Sequence, residues 1–432
     1  MSSHLSLLLS MVCAAAVLSV GQLVLPLFPV LPVRAADTFF CPNHYDKDYF
    51  IDKSGAVVLR PQYECAGSFV GGLAPVSDGK NYGYINKQGA LAIPLKFDSA
   101  NEFGDGLAAV KINGKYGYIN KDGKVVIKAA YSDAGLFSQG LAAVRQGNSW
   151  GYIDKQGRTV IKPSYDRALE FSQGLAPVAN QDRFGFIDRN GKVVVPLHFC
   201  GIDKFSEDVA AVQERGAKGE LSAGFIDKSG KYVFKPRFDA AKSFSDGLAL
   251  TVKDKSRDYV DHSGKTVIHT EYAWVHPFAE GLADVTFKFE GGPGGYIDKN
   301  GNVKIPINQD SRHESFSDGL ALIHVPLPGA KAYQAAEYSI FQAKDYAAAL
   351  NQLEQGINMS PVPRGYLHKA KAHECLGQPD KALADCKEGL ELFPDNQALK
   401  DRQAELKKKI AQSKITQAKT TPSKSAQSKP TE

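Results

Sequence analysis

Gly147-Asn148-Ser149-Trp150-Gly151 satisfies the G-x-S-x-G pattern that presents a serine nucleophile on a tight turn. That chemistry needs a strand running through a sharp turn into a helix, with a general base beside the hydroxyl. The flanking residues read as two short strands instead, and both glycines recur at a fixed interval, so Ser149 is assigned to a hairpin. The run Gly291-Gly292-Pro293-Gly294-Gly295 has the composition of a phosphate cradle. No helix N-terminus follows to supply aligned N–H groups, so it reads as a loop. Asp52, Asn86, Asn120, Asp154, Asp188, Asp227, Asp261 and Asp298 could offer oxygen to a metal, but Asn alternates with Asp and each precedes a turn. Capping of that turn by the side chain is the reading preferred. His262, His269 and His276 crowd one stretch without an HExxH or Cys-x-x-C pattern to fix an ion. No catalytic residue, metal ligand or cofactor is assigned, and the chain reads as a non-enzyme.

The elements behind these candidates are copies of one unit. Its clearest form is Leu107–Lys128, LAAVKINGKYGYINKDGKVVIK. The last-turn glycine recurs at Gly55, Gly89, Gly123, Gly157, Gly191, Gly230, Gly264 and Gly301, spaced by 34 residues except for steps of 39 and 37. A fixed period of this length marks a repeat architecture. Residues common to all copies build the copy, so function is sought where copies differ.

Each copy predicts three short strands. Leu107–Ile112 alternates apolar residues, Asn113-Gly114-Lys115 turns the chain, and Tyr116–Asn120 returns. Asn120-Lys121-Asp122-Gly123 fits a type I turn closed by a left-handed glycine, and Lys124–Lys128 follows. A Pro-x-Tyr/Phe-Asp stretch (Pro163–Asp166, Pro236–Asp239) is the candidate for a fourth strand. The array starts on the hairpin Tyr49–Arg60 and ends on the lone strand Gly319–Val325. The last strand can therefore complete the first unit, which favours a closed eight-bladed β-propeller over an open curved β-repeat stack.

The Gly-Leu-Ala-x-Val, aromatic-Gly-aromatic-Ile-Asp-Lys-x-Gly-Lys-x-Val-Ile pattern resembles the bacterial WG repeat over residues 49–325. Trp150-Gly151 alone keeps the eponymous tryptophan. Tyr82, Tyr116 and Phe184 replace it elsewhere, and Asp258-Tyr259 lacks the glycine. The resemblance implies an exported or surface-associated interaction module and brings no catalytic residues.

After a linker at 326–330 the pattern becomes helical over 331–411. Tyr333, Tyr346, Ala349, Gly356 and Pro361 match Tyr366, Pro379, Ala382, Gly389 and Pro394 at 33 residues, and a last helix, about Asn396–Ala411, caps the pair. This part is similar to the tetratricopeptide repeat (TPR), making it a small all-α TPR-like domain. The resemblance implies a partner-binding groove from Lys331, Gln334, Tyr338, Phe341, Arg364, Leu367, Lys371 and Glu374. Two units fall short of the three needed for independent stability, so the domain is expected to dock on the β array or to form a homodimer.

Residues 1–35 read as a signal peptide, apolar from Leu5 to Val33 with small residues before Ala36, or as an uncleaved membrane anchor; 36–48 leads into the array. Either reading places the body outside the cytoplasm: periplasmic, secreted or on the cell surface. There Cys41 and Cys65, flanking the first hairpin, are the candidate disulfide, and Cys200, Cys375 and Cys386 are read as small buried hydrophobes. Residues 412–432 form a Lys/Ser/Thr/Gln tail expected to be disordered. Of the net +5, seven lysines against one acidic residue fall within 407–432, so the body is near neutral and shows no nucleic-acid footprint.

Copies differ in length at one turn: Asn113-Gly114-Lys115 becomes Glu214–Ala223 in the fifth copy and Phe289–Gly295 in the seventh. Such insertions usually share one face, often the binding face. The expected function is a scaffold that holds an envelope protein or peptide on these turns and the helical groove. The alternative is a cell-wall or polysaccharide binder that stacks sugars on Tyr82, Tyr116, Trp150 and Phe184.

Overall fold

The structure is a computed structural model and describes residues 46–217, 219–287, 294–307 and 311–420. The expected signal peptide or anchor, Cys41 and the last part of the tail lie outside these residues.

Eight four-stranded antiparallel sheets form the β array. In the second sheet the strands are Ser99–Gly104, Leu107–Ile112, Lys115–Asn120 and Val125–Tyr131, paired in sequence order. The fourth strand of each unit precedes the three expected ones. It starts after the Asp of Pro-x-Tyr-Asp, as at Arg167–Ala168, whereas Pro163–Tyr165 continues the outer strand Thr159–Tyr165. The last sheet takes two strands from each end of the array: Arg312–His313 and Leu320–Pro326 join Asp46–Asp52 and Val57–Leu59. Leu320–Pro326 pairs along all of Asp46–Asp52, from Asp46 opposite Pro326 to Asp52 opposite Leu320. This pairing closes the ring, and the array is an eight-bladed β-propeller.

Closure explains why period-two alternation fades in the middle strands. Lys115–Asn120 buries Tyr116, Gly117, Tyr118 and Ile119 in succession, because a blade stacked between two neighbours has no wet face. Between blades a fully buried aromatic meets a phenylalanine of the next blade. Tyr118 lies 4.7 Å from Phe137, and at the closure Phe50 lies 4.8 Å from Phe69. Where the first ring is tyrosine, its hydroxyl donates into the next blade's backbone, as Tyr118 does to Gly135 O at 2.8 Å. A buried phenol without such a partner would destabilise by roughly 1–3 kcal/mol.

The repeated Asp/Asn cap turns in every blade. Asp52 Oδ1 accepts from Ser54 N and Ala56 N, and Asp154 Oδ1 from Gln156 N and Arg158 N. Gly55 and Gly157 close these turns at φ 85° and 77°. The glycine after the variable aromatic has a different reason. A Cβ on Gly117 or Gly151 would lie 2.5 Å from a carbonyl oxygen of the outer strand, which bulges inward there. In the sixth blade Asp258 takes this place, the outer strand Thr266–Thr270 is shorter, and Asp258 pairs with His269 without a bulge.

One hydrogen-bond circuit runs round the ring. In the loop joining each blade's first two strands, Asp105, Gln139, Gln173, Glu207, Asp246, Glu280 and Asp318 stand at φ between 47° and 56°. Each accepts from one backbone N–H of the next blade: Gly140, Gly174, Asp208, Gly247, Gly281, Gly319 and Gly72 respectively. The eighth place in this series is Gly71, which has no side chain.

Beyond the ring lie α1 (Ala330–Tyr338), a π-helical turn Ser339–Ala343, α2 (Tyr346–Met359), α3 (Pro363–Cys375), α4 (Pro379–Leu392) and α5 (Gln397–Thr420). α5 continues past residue 411, into the stretch expected to be disordered. The 33-residue correspondence appears as packing: a Cβ on Gly356 would meet the Tyr333 ring at 2.9 Å, and one on Gly389 would meet Tyr366 at 2.9 Å. Glycine therefore lets both helix pairs approach closely. Cys386 is buried and Cys200 half-buried, whereas Cys375 is exposed, a correction to its assignment as core, because it sits in the last turn of α3. Cys65 is disulfide-bonded, and its expected partner Cys41 lies outside the described residues.

Candidate functional site

Strand alternation sorts the connections onto two faces of the ring. The loop between first and second strands and the Asp/Asn-x-x-Gly turn share one face. The turn between second and third strands shares the other with the link to the next blade. This second face gathers the departures from the repeat. In the fifth blade the strands Val209–Arg215 and Leu221–Asp227 lengthen toward it, with Leu221 exposed. In the seventh, Phe287 is 60% exposed and lies 5.0 Å from Tyr272, while most of the glycine-rich turn lies outside the described residues. In the closing blade, Leu320–Pro326 leads into α1 instead of a turn. The long turns and the helices therefore emerge on one side.

The eight groove candidates divide between two situations. On α1 and the π-helical turn, Lys331, Gln334, Tyr338 and Phe341 are exposed, the two aromatics at 65% and 56%. On α3 only Lys371 is exposed. Leu367 packs on the helical core, and Glu374 pairs with Arg402 and, at 2.8 Å, with Lys409 of α5. Arg364 Nε donates to Glu337 on α1 at 3.0 Å.

Arg364 also marks the joint between helices and ring. Glu64, just before the first blade's inner strand, is half-buried there, with its carboxyl Oε2 enclosed. Burial pushes its carboxyl up to about 7; the Arg364 charge opposes this, and Asp78 and Glu337 reinforce it. At the edge of the joint Lys80, in the first blade's second turn, lies 2.5 Å from Asp401 of α5. The helical pair thus docks on the ring, one of the two alternatives open in the sequence.

The aromatic stripe does not form an exposed ladder. Tyr116, Trp150 and Phe184 are 5–6% exposed and Tyr82 is half-buried, because the next blade covers them. This corrects the sugar-stacking alternative, which needs accessible ring faces. Ser149 belongs to the hairpin strand Ser149–Asp154, as expected.

A polar cluster that sequence reasoning missed lies between the seventh and closing blades. Asp284 is buried at a core position held by Ala109, Ala143 and Leu250 in other blades. Its carboxylate accepts from His276 Nδ1 and, at 3.2 Å, from His313 Nδ1; Ser311 Oγ lies 2.7 Å from His313 Nε2. The order Ser–His–Asp is that of a hydrolase triad. Ser311 and the His313 side chain are 1% and 0% exposed, so no substrate reaches the hydroxyl in this arrangement. The lone acid in an apolar column was the signal that could have found it. Nearby, His324 Nδ1 lies 2.7 Å from Asp48. Burial alone would lower the His324 pKa, but the hydrogen bonds to Asp48 and Glu314 outweigh it and raise it to about 9. Among the described residues no group of three His, Cys, Asp or Glu side chains could hold a metal, and no helix is long and apolar enough to cross a membrane.

Comparison with known proteins follows the repeat. The family described as WG containing repeat matches residues 50–82, 82–116, 116–150, 150–182, 184–216, 224–255 and 259–287, just over half of the chain. No curated protein matches. Among solved structures, KlHsv2 with loop 6CD replaced by a Gly-Ser linker is 12% identical with a TM-score of 0.36, covering 50% of this chain and 85% of that one. The WD40 domain of Toxoplasma gondii coronin is 10% identical at 0.32, covering 68% and 89%. A putative TolB from Agrobacterium tumefaciens is 11% identical at 0.29, covering 48% and 94%.

Proposed function

Because the chain belongs to the WG-repeat family, we propose that it works by binding, as an exported, non-enzymatic scaffold. It holds protein partners on the face that its long turns and helices share. The observation that carries this reading is that convergence: where blades depart from the repeat in length, and where the chain leaves it, the departures meet on one side of the ring. Export is supported by the apolar stretch from Leu5 to Val33. The TPR-like reading is supported by the repeated Tyr333–Gly356 and Tyr366–Gly389 packing. Tyr338 and Phe341 are the anchors suited to an apolar side of a peptide or helix of an envelope protein.

The test is capture from cell-envelope extract with the mature full-length chain and with Tyr338→Ala/Phe341→Ala. Partners are identified by mass spectrometry and then titrated in pure form. Aromatic anchors at interfaces carry about 2 kcal/mol or more each, ~30-fold in Kd per anchor, so Kd for the identified partner rises ~1,000-fold in the double variant. An unchanged Kd removes the helices from recognition, and turnover of an envelope substrate by the wild type sinks the scaffold reading.

A further inference from the structure

The inter-blade circuit lies on the face opposite the long turns, and it shows twice how this protein holds a carboxylate between a loop N–H and a nitrogen-bearing side chain of a turn. Glu280 accepts from Gly319 N of the next blade at 3.2 Å, and its carboxylate lies 2.9 Å from Lys53 Nζ, the second residue of an Asp/Asn-x-x-Gly turn. Glu207 accepts from Gly247 N at 2.9 Å and meets His262, the same turn position, at 2.7 Å. Lys53 also donates to the backbone carbonyl of Glu280 at 3.1 Å, so one ammonium serves both carbonyl and carboxylate.

The first blade offers the same donors without the acid. Gly71 stands in the series at φ 63°, beside acidic and amide residues at φ 47–56°. The next blade's Gly106 N has no acceptor among the described residues and is exposed, with nothing within 4 Å of where its Cβ would be. Lys121 Nζ, at the turn position equivalent to Lys53, donates to Gly71 O at 2.5 Å. A Cβ on Gly71 would touch only the mobile end of Lys121, Nζ at 2.9 Å and Cε at 3.3 Å, so the space is that of a side chain.

We propose that Gly106 N–H and Lys121 Nζ form a docking point for one carboxylate of a protein partner, an acidic side chain that completes the circuit in trans. The donors are exposed on a rim and not enclosed in a cavity, which fits a side chain delivered by a second surface rather than a small free acid held on two contacts. This point is on the opposite face from the surfaces of the proposed scaffold function, so the two stand or fall separately.

The probe is acetyl-glutamyl amide titrated into the 15N-labelled mature full-length chain, against acetyl-glutaminyl amide and sodium acetate at constant ionic strength. The glutamyl compound shifts the Gly106 amide saturably and the glutaminyl compound does not. The shift is lost in Gly71→Glu, which supplies the carboxylate from within, and is retained in Gly71→Ala. Lys121→Gln weakens binding at least tenfold, and decides the matter alone if Gly71→Glu fails to fold. No shift, equal shifts with both amides, or an unchanged response in Gly71→Glu or Lys121→Gln overturns the site. A response to acetate without one to the glutamyl amide overturns the partner side chain as its source.

Discussion

The ring and the helical pair solve the same problem, how a repeat ends, in opposite ways. The ring has no ends: strands 320–326 and 46–52 pair over seven residues, and all eight blades are covered on both sides. The helical pair is an open stack: α1, α3 and α5 each bring a side chain to the ring, Glu337 and Arg364 near Glu64 and Asp401 at Lys80, while α5 packs along α4. A closed repeat spends its recurring residues on itself. An open one leaves side chains uncovered: Tyr338 and Phe341 are exposed while Trp150 is buried.

The sharpest test of this contrast is a pair of core truncations. Phe50→Ala empties the closing blade and costs about 3–5 kcal/mol. In a ring the loss reaches every blade, so near-UV signal and protease resistance of the whole array fall together. Tyr333→Ala removes a similar ring from the helices but leaves the ring's melting transition in place. Two calorimetric transitions, with the array's falling in Phe50→Ala and only the helices' falling in Tyr333→Ala, would confirm that difference, whereas a single shared transition for both variants would break it.

A smaller effect tests the joint. The folded-state pKa of Glu64 is raised to about 7, so its contribution favours folding at low pH and is lost as pH rises through 7. Glu64→Gln therefore leaves stability nearly unchanged below pH 4.5 and raises it by up to about 3 kcal/mol at pH 8. Melting of the helices at the two pH values is the measurement, and a gain equal at both would mean that the proton is not involved. Lys80→Ala, at the exposed edge of the same joint, is expected to cost under ~1 kcal/mol and to lose even that at high salt.

The chain's own order carried the period, the turn chemistry and the change to helix. Asp154 and Gly157 act within four residues of each other, and such local rules can be read without a fold. The strand after Asp166 was harder to read, because two residues of strand carry no periodicity. The fate of Trp150 was harder still: an alternating aromatic looks alike whether water or the next blade lies above it.

What the sequence by itself determined was therefore a unit and its repetition, because those rest on backbone dihedrals and contacts between near neighbours. Tertiary structure decided the rest. It joined Asp48 to His324 across the closure, gathered Asp284 and His276 of the seventh blade with His313 and Ser311 of the closing one, and brought Lys121 beside Gly71. Each depends on how one blade packs against another, and the first also on the last strand pairing with the first.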